Sequence, residues 1–222
     1  MDSSKKYLII RFSSIGDIVL TTPILRCLKQ QTGAEIHFLV KQKFSSTICN
    51  NPNIDRIWSF KSNLDEVLPD LSEERFDAII DLHKNLRSLR VRLALRRKVY
   101  SFPKLNIEKW LMCQFKINRL PPIHIVDRYF KAIEPLGVKL DQKGLDFYFT
   151  SSTSLPADIE LNDAFGVLPK EYIAWVMGAN HATKRLPIHK IISIINRLDI
   201  PVILLGGKDV NLEAKEVFEN VD

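Results

Sequence analysis

Short apolar runs separated by stretches of helical period set the pattern of this chain. Tyr7 to Phe12 is an apolar run bounded by polar residues, as expected of a strand buried on both faces. After Ser13-Ser14-Ile15-Gly16-Asp17, a helix is expected over Ile18 to Gln31, with Thr22 and Pro23 placed as a local cap and first-turn proline. Strands are expected at Glu35 to Val40, Arg56 to Phe60 and Phe76 to Leu82, with helical patterns between them. A basic helix over Lys84 to Arg97 leads into a strand at Val99 to Phe102. Leu105 to Ile117 reads as an amphipathic helix on the domain's edge, and Ile125 to Leu136 as a helix closed by Gly137. Strands alternating with helices predict a parallel sheet with crossover helices.

A second α/β pattern follows the polar cluster Ser151-Ser152-Thr153-Ser154-Leu155-Pro156, which marks the expected boundary between residues 1–155 and 156–222. It consists of a strand at Tyr172 to Met177, a helix at Pro187 to Leu198, a strand at Val202 to Leu205, Gly206-Gly207, and a helix from Lys208. A doubly wound domain needs about 100 residues or more, so this second domain reads as cut short.

A hydrophobic content of 45% in 222 residues supports real cores. No stretch approaches the ~20 apolar residues of a membrane span, and the first residues run straight into a strand rather than a signal peptide, so a cytosolic protein is expected. Cys27, Cys49 and Cys113 are widely spaced with no CxxC, which argues for buried free thiols over disulfides or structural zinc. The charge of +6 is concentrated: Lys84, Arg87, Arg90, Arg92, Arg96, Arg97 and Lys98 lie in one stretch without an acid.

Two strand-to-loop junctions carry the candidate chemistry. Ligands of open α/β sheets sit beyond the carboxyl ends of strands, so a carboxylate at one junction and cations at the other suggest a cleft suited to group transfer. At the first, Gly16 lets the backbone turn and approach a ligand, and Asp17 stands at a helix start. Such an Asp is a favoured cap as readily as a catalyst. At the second, Gly178 frees the backbone, Thr183 offers a hydroxyl, Lys184 and Arg185 offer charge, and a helix N-terminus follows. Taken alone, that stretch reads first as a solvated basic turn. No GxGxxG, GxxxxGK[ST], HExxH or GxSxG occurs, which argues against nicotinamide dehydrogenases, P-loop enzymes, a metal site and nucleophilic hydrolases.

The basic run admits a nucleic-acid patch, a membrane-surface patch or an anion pocket. Leu86, Leu89 and Leu93 share one helix face and the arginines scatter over the others, the pattern of an ordinary solvated helix. No aromatic residues interleave the arginines, so nucleic acid is not an expected partner. His83, Lys84, Asn85 and Arg87 stand apart because they sit at the end of a strand.

The segments LIIRFSSIGDIVLTTPILRCLK, DAIIDLHKNLRS, HIVDRYFKAIEPLG, and YIAWVMGANHATKRLP followed by PVILLGGKD resemble bacterial glycosyltransferase family 9, the ADP-heptose:lipopolysaccharide heptosyltransferases. The resemblance implies an α/β fold of GT-B type: a Rossmann-like acceptor-binding domain over 1–155 and part of a Rossmann-like donor domain over 156–222. It implies Asp17 as the general base, Thr183 and Lys184 on the donor phosphates, and Ser14, Gly16, Lys84, Asn85 and Arg87 around an acidic inner-core acceptor. The reaction it implies is inverting transfer of a heptose or related sugar from ADP-heptose, without cofactor or metal, at the cytoplasmic face of the inner membrane. Family members often have Lys-x-Trp-Pro where this chain has Lys184-Arg185-Leu186-Pro187, and they continue for roughly another domain half. These 222 residues alone are therefore expected to be inactive, and a non-catalytic module gripping anionic glycolipid is the rival expectation.

Overall fold

The structure is a computed structural model that describes residues 4–149, 171–179 and 181–221. The chain divides into two compact units, Met1–Thr150 and Ser151–Asp222. The polar cluster at 151–156 and the expected division at 155/156 lie outside the described residues.

In the first unit, five parallel strands form one sheet: β1 (Lys6–Ile10), β2 (Glu35–Lys41), β3 (Arg56–Phe60), β4 (Ala78–Asp81) and β5 (Lys98–Ser101), in the order β3-β2-β1-β4-β5. Ile9 is opposite Phe38 of β2 on one side and Ile80 of β4 on the other. Alternate residues of β1 feed two cores. Tyr7 and Ile9 join Ile36, Phe38 and Ile80 on one face, while Leu8 and Ile10 join Leu39, Ile79 and Phe12 on the other. Burial on both faces is what allows the strands to read as unbroken apolar runs.

Helices α1 (Ile15–Val19), α2 (Thr22–Thr32), α3 (Leu68–Glu73), α4 (Leu86–Leu95), α5 (Asn106–Phe115) and α6 (Ile125–Ile133) connect the strands or follow them. The single helix expected over Ile18 to Gln31 is two. Pro23 has no N–H to offer the carbonyl of Val19, and Thr22 Oγ1 donates to that carbonyl instead at 2.8 Å. Thr21 Oγ1 likewise donates to Ile18 O, so the chain breaks between α1 and α2. Helix α6 ends early for a related reason: Pro135 lies in a 3₁₀ turn at Glu134–Leu136, closed by Gly137 at φ 78°.

Charge pins the remainder of the unit. Arg26, 5% exposed on α2, donates to Asp141 through Nε (2.7 Å) and Nη2 (2.9 Å), to Gly144 O and to Asp146. These bonds hold the segment after α6 against the sheet's covering helix. Burial of the thiols is only partly as expected: Cys27 is buried, whereas Cys49 and Cys113 are exposed. On α4 the inward face is Ser88, Val91 and Leu95, and the leucine face of Leu86, Leu89 and Leu93 is turned to solvent.

In the second unit, β6 (Ile173–Val176) and β7 (Val202–Leu205) pair in parallel, with Ala174 opposite Ile203. Helices α7 (Ile188–Ile195) and α8 (Asn211–Glu219) contribute Ile191, Ile195 and Val217 to a small core with Met177 and Val210. Among the described residues no helix is long and apolar enough to cross a membrane.

Candidate active site

The order β3-β2-β1-β4-β5 reverses direction at β1, with β2 on one side and β4 on the other. The crevice beyond the carboxyl ends of β1 and β4 is therefore where an open sheet of this type takes its ligand. Two loops meet there, Arg11 to Asp17 after β1 and Leu82 to Arg87 after β4.

Arg11 organises the first. Its Nε donates to Ser13 O (2.8 Å), its Nη1 to Leu82 O (2.7 Å) and to the Tyr129 hydroxyl (3.0 Å), and its Nη2 lies 2.8 Å from Asp17 Oδ2. One guanidinium thus joins the end of β1, the end of β4, α6 and the start of α1. Ser14 is the N-cap of α1, and Asp17, at the third helical position, closes a capping box by accepting from Ser14 N (3.3 Å) and Ser14 Oγ (3.0 Å).

Both readings of Asp17 therefore coexist in one side chain. All three contacts reach Oδ2; Oδ1 takes none among the described residues, and 40% of the side chain is exposed. Burial pushes the carboxyl upward, but the Arg11 charge and the Ser14 hydrogen bonds outweigh it and hold Asp17 below its ordinary value. Gly16 lies inside α1 rather than in a loop, and its φ is not positive, so the turn itself does not demand glycine. A Cβ there would meet nothing within 4 Å, which leaves open space above the helix start.

Asp81, fully buried at the end of β4, shapes the second loop. Its Oδ1 accepts from His83 N (3.0 Å) and Lys84 N (2.7 Å), and its Oδ2 from Ser88 Oγ (2.8 Å). Lys84 is held at φ 50°, a left-handed conformation that disfavours side chains. Its Nζ donates to Phe102 O at 3.0 Å. Asn85 caps α4, with Oδ1 accepting from Ser88 N at 2.9 Å. Of the residues expected to hold an acceptor, Lys84 and Asn85 thus also serve the fold. Arg87 is exposed in the first turn of α4 and has no ion-pair partner among the described residues.

His83 stands against Phe12, ring centroids 4.8 Å apart, with a buried Nδ1 that has no hydrogen-bond partner among the described residues. Burial, then the positive charge of Arg11, pushes its pKa down to about 4, so the ring is neutral at pH 7. Glu35, His37 and Glu74 bring possible metal ligands together, but they are already engaged. Lys6 bridges the two glutamates, and His37 holds Glu35 through Nε2 and Trp58 Nε1 through Nδ1.

In the second unit, the loop after β6 contains a 3₁₀ turn at Ala182–Lys184. Thr183 and Lys184 are both exposed. Arg185 does the structural work: its Nε donates to Ala179 O at 2.7 Å, and its Nη atoms lie 3.5 Å from Asp209 and 3.6 Å from Glu213. A cavity of about 410 Å³ opens at the carboxyl ends of β6 and β7, lined by Gly178, Ala179, Gly206, Gly207 and Asp209. Glycine is required at 206, where a Cβ would fall 2.3 Å from Val210 Cγ2.

Arg11 and Tyr129 were not singled out from the sequence. The available signal was an arginine ending an otherwise apolar strand, where its charge must find partners close by. Asp81, at the end of its own strand, carried the same signal.

A five-stranded and a two-stranded parallel sheet, each with a candidate ligand loop at its carboxyl end, make this an α/β protein with the fold of GT-B type glycosyltransferases. The model of glycosyltransferase family 9 (heptosyltransferase) matches residues 66–222, and the chain belongs to that family. It is 27% identical over 122 residues to lipopolysaccharide heptosyltransferase 1 of Campylobacter coli. That match covers 52% of this chain and 36% of the relative, so the chain spans well under half of that protein. The fold is similar to the glycosyltransferase family 9 crystal structure from Veillonella parvula DSM 2008 (TM-score 0.76, 22% identity, covering 100% of this chain and 68% of that one). It is also similar to E. coli heptosyltransferase WaaC with ADP (TM-score 0.64, 19% identity, covering 96% and 71%).

Proposed function

We propose that residues 1–155 are the acceptor-binding domain, and 156–222 the first part of the donor-binding domain, of a heptosyltransferase of lipopolysaccharide assembly. The donor is a nucleotide-diphosphate sugar, ADP-heptose, and the acceptor an acidic sugar of the lipid-anchored inner core. The observation that carries this reading is the Asp17 carboxylate at the switch point of the sheet, anchored through Oδ2 while Oδ1 has no partner among the described residues.

The acceptor hydroxyl oxygen attacks the anomeric carbon of the donor from the face opposite the diphosphate. A carbon–oxygen bond forms, the bond from that carbon to the diphosphate oxygen breaks with its electron pair, and the configuration inverts. The hydroxyl proton passes to Asp17 Oδ1. Because Arg11 and Ser14 hold Asp17 below the ordinary carboxylate range, it is fully charged at pH 7 but only weakly basic. The proton therefore moves late, once bond formation has acidified the hydroxyl; a positioned base contributes about 10²- to 10⁴-fold.

Lys184 and Thr183 meet the charge on the departing diphosphate in place of a metal. Ser14, Lys84, Asn85 and Arg87 hold the acidic acceptor over the open space at Gly16. Arg87 contributes most, because its guanidinium is not committed elsewhere, whereas Lys84 must exchange Phe102 O for the acceptor. The protein works in the cytoplasm, in peripheral contact with the inner membrane where the acceptor is anchored. The test is ADP release from ADP-heptose that depends on a heptose-free inner-core acceptor, assayed with the protein that carries this chain. Acceptor binding without any turnover would favour the non-catalytic glycolipid module instead.

A further inference from the structure

Helix α5 has no buried residue, although half of its sequence is large and apolar. Ile107 is 72% exposed, Trp110 55% and Phe115 59%, and Met112 and Ile117 are also exposed. Ile107, Trp110, Leu111 and Phe115 follow the i, i+3, i+4, i+8 spacing and share one face. The Trp110 and Phe115 rings meet edge to face with centroids 5.3 Å apart, so the exposed aromatics form one patch. A helix of ten residues is marginal in water by itself and needs its apolar face covered.

Charge indicates what covers it. Lys104 precedes the helix, Lys109 lies on it, Lys116 ends it and Arg119 follows, against the single acid Glu108. Trp and Phe on one face with lysines around them is the composition of a helix that lies in the headgroup region of a bilayer, where cations meet anionic lipid. The helix also starts at the candidate acceptor site. Lys104 Nζ donates to Lys84 O at 2.8 Å, and Leu86, 84% exposed, opens α4 two residues further along.

We propose that α5 is the element that docks this protein on an anionic lipid bilayer, with Ile107, Trp110 and Phe115 in the interface and Lys109, Lys116 and Arg119 on the headgroups. This places membrane contact on the apolar helix rather than on the arginines at the end of α4. It deepens the reading of a membrane-anchored acceptor and rests on it for its purpose, but its test uses lipid alone and involves no transfer.

Vesicles of phosphatidylcholine with a third phosphatidylglycerol are titrated into the protein, and tryptophan emission, to which Trp58, Trp110 and Trp175 contribute, and co-sedimentation are followed. Binding with a blue shift is expected on these vesicles, weak binding on pure phosphatidylcholine, and weakening by salt. W110S with F115S should reduce binding at least tenfold and leave the melting temperature unchanged. K109Q and K116Q should each weaken it about fivefold. R96A with R97A should preserve the blue shift. Several results would overturn the proposal: no binding, equal binding to neutral vesicles, binding that survives W110S with F115S, or a melting temperature or mass that falls in that variant. The last would mean that α5 packs on protein, whether another segment or a second copy. Failure here would leave donor-dependent turnover untouched, so it is distinguishable from failure of the transferase reading.

Discussion

Arg11 Nη2 and Asp17 Oδ2 stand 2.8 Å apart, and this ion pair ties the strand that ends at the switch point of the sheet to the helix that begins there. The pair is only partly exposed, so Arg11 both fixes the carboxylate's direction and lowers its proton affinity. A carboxylate held this way is positioned well and tuned low, a combination that suits the late proton transfer we propose.

That relationship sets the pH dependence of transfer. If Asp17 is the base we propose, activity requires its ionised form, whose folded value lies below the ordinary 3.8, so the acid limb of kcat/KM should fall below pH 4. With Arg11→Met only the Ser14 hydrogen bonds oppose burial, and the limb should move to higher pH while kcat drops. A limb that stays in place in the variant would show that Arg11 does not tune Asp17.

His83 should titrate near pH 4 in a proton NMR titration, well below the ordinary 6.5. Because its folded pKa is depressed, protonation favours the unfolded chain. Its share of stability is intact above pH 6.5 and is lost as the pH falls toward 4. A titration near 6.5 would place the ring in water instead of against Phe12.

Arg26→Met should destabilise the first unit by ~3 kcal/mol or more, since it strands two carboxylates in a partly buried site. Arg26 holds Asp141 well below the ordinary 3.8, so the pair's contribution is present above that pH and is lost as the pH falls below it. Urea denaturation of both proteins at pH 7 and pH 3 should show the gap narrowing at the lower pH.

The neighbours Lys184 and Arg185 should separate by function. Lys184→Ala should weaken ADP about tenfold to a hundredfold, affect adenosine little, and leave stability unchanged, as loss of a charge-assisted contact to phosphate requires. Arg185→Ala should instead lower the melting temperature, because Arg185 braces the loop on Ala179, Asp209 and Glu213. Calorimetry with both ligands distinguishes the two.

Strand placement was legible where β1, β2 and β4 are covered on both faces, so Tyr7 to Phe12 or Phe76 to Leu82 could be read as apolar runs. The break at Leu20-Thr21 was not, since Pro23 looked like a first-turn proline of a continuing helix rather than the reason the preceding one stops. The direction of α4 was hidden for a different reason: leucines at helical spacing normally point inward, yet here Ser88 and Val91 do, because Ser88 is bound to buried Asp81. Loop position made Asp17, Lys84 and Lys184 candidates, and their proposed roles came from the family resemblance. Arg11 and Tyr129 could not be paired, since they lie 118 residues apart and only the fold brings them together.

The most direct test is steady-state transfer by Asp17→Ala in the protein that carries this chain, with thermal melting measured alongside. Turnover should fall by about 10²- to 10⁴-fold with acceptor binding retained. The cap contribution lost should be ~1 kcal/mol. Near-native turnover together with a clear loss of stability would contradict the account, because Asp17 would then be a helix cap and nothing more.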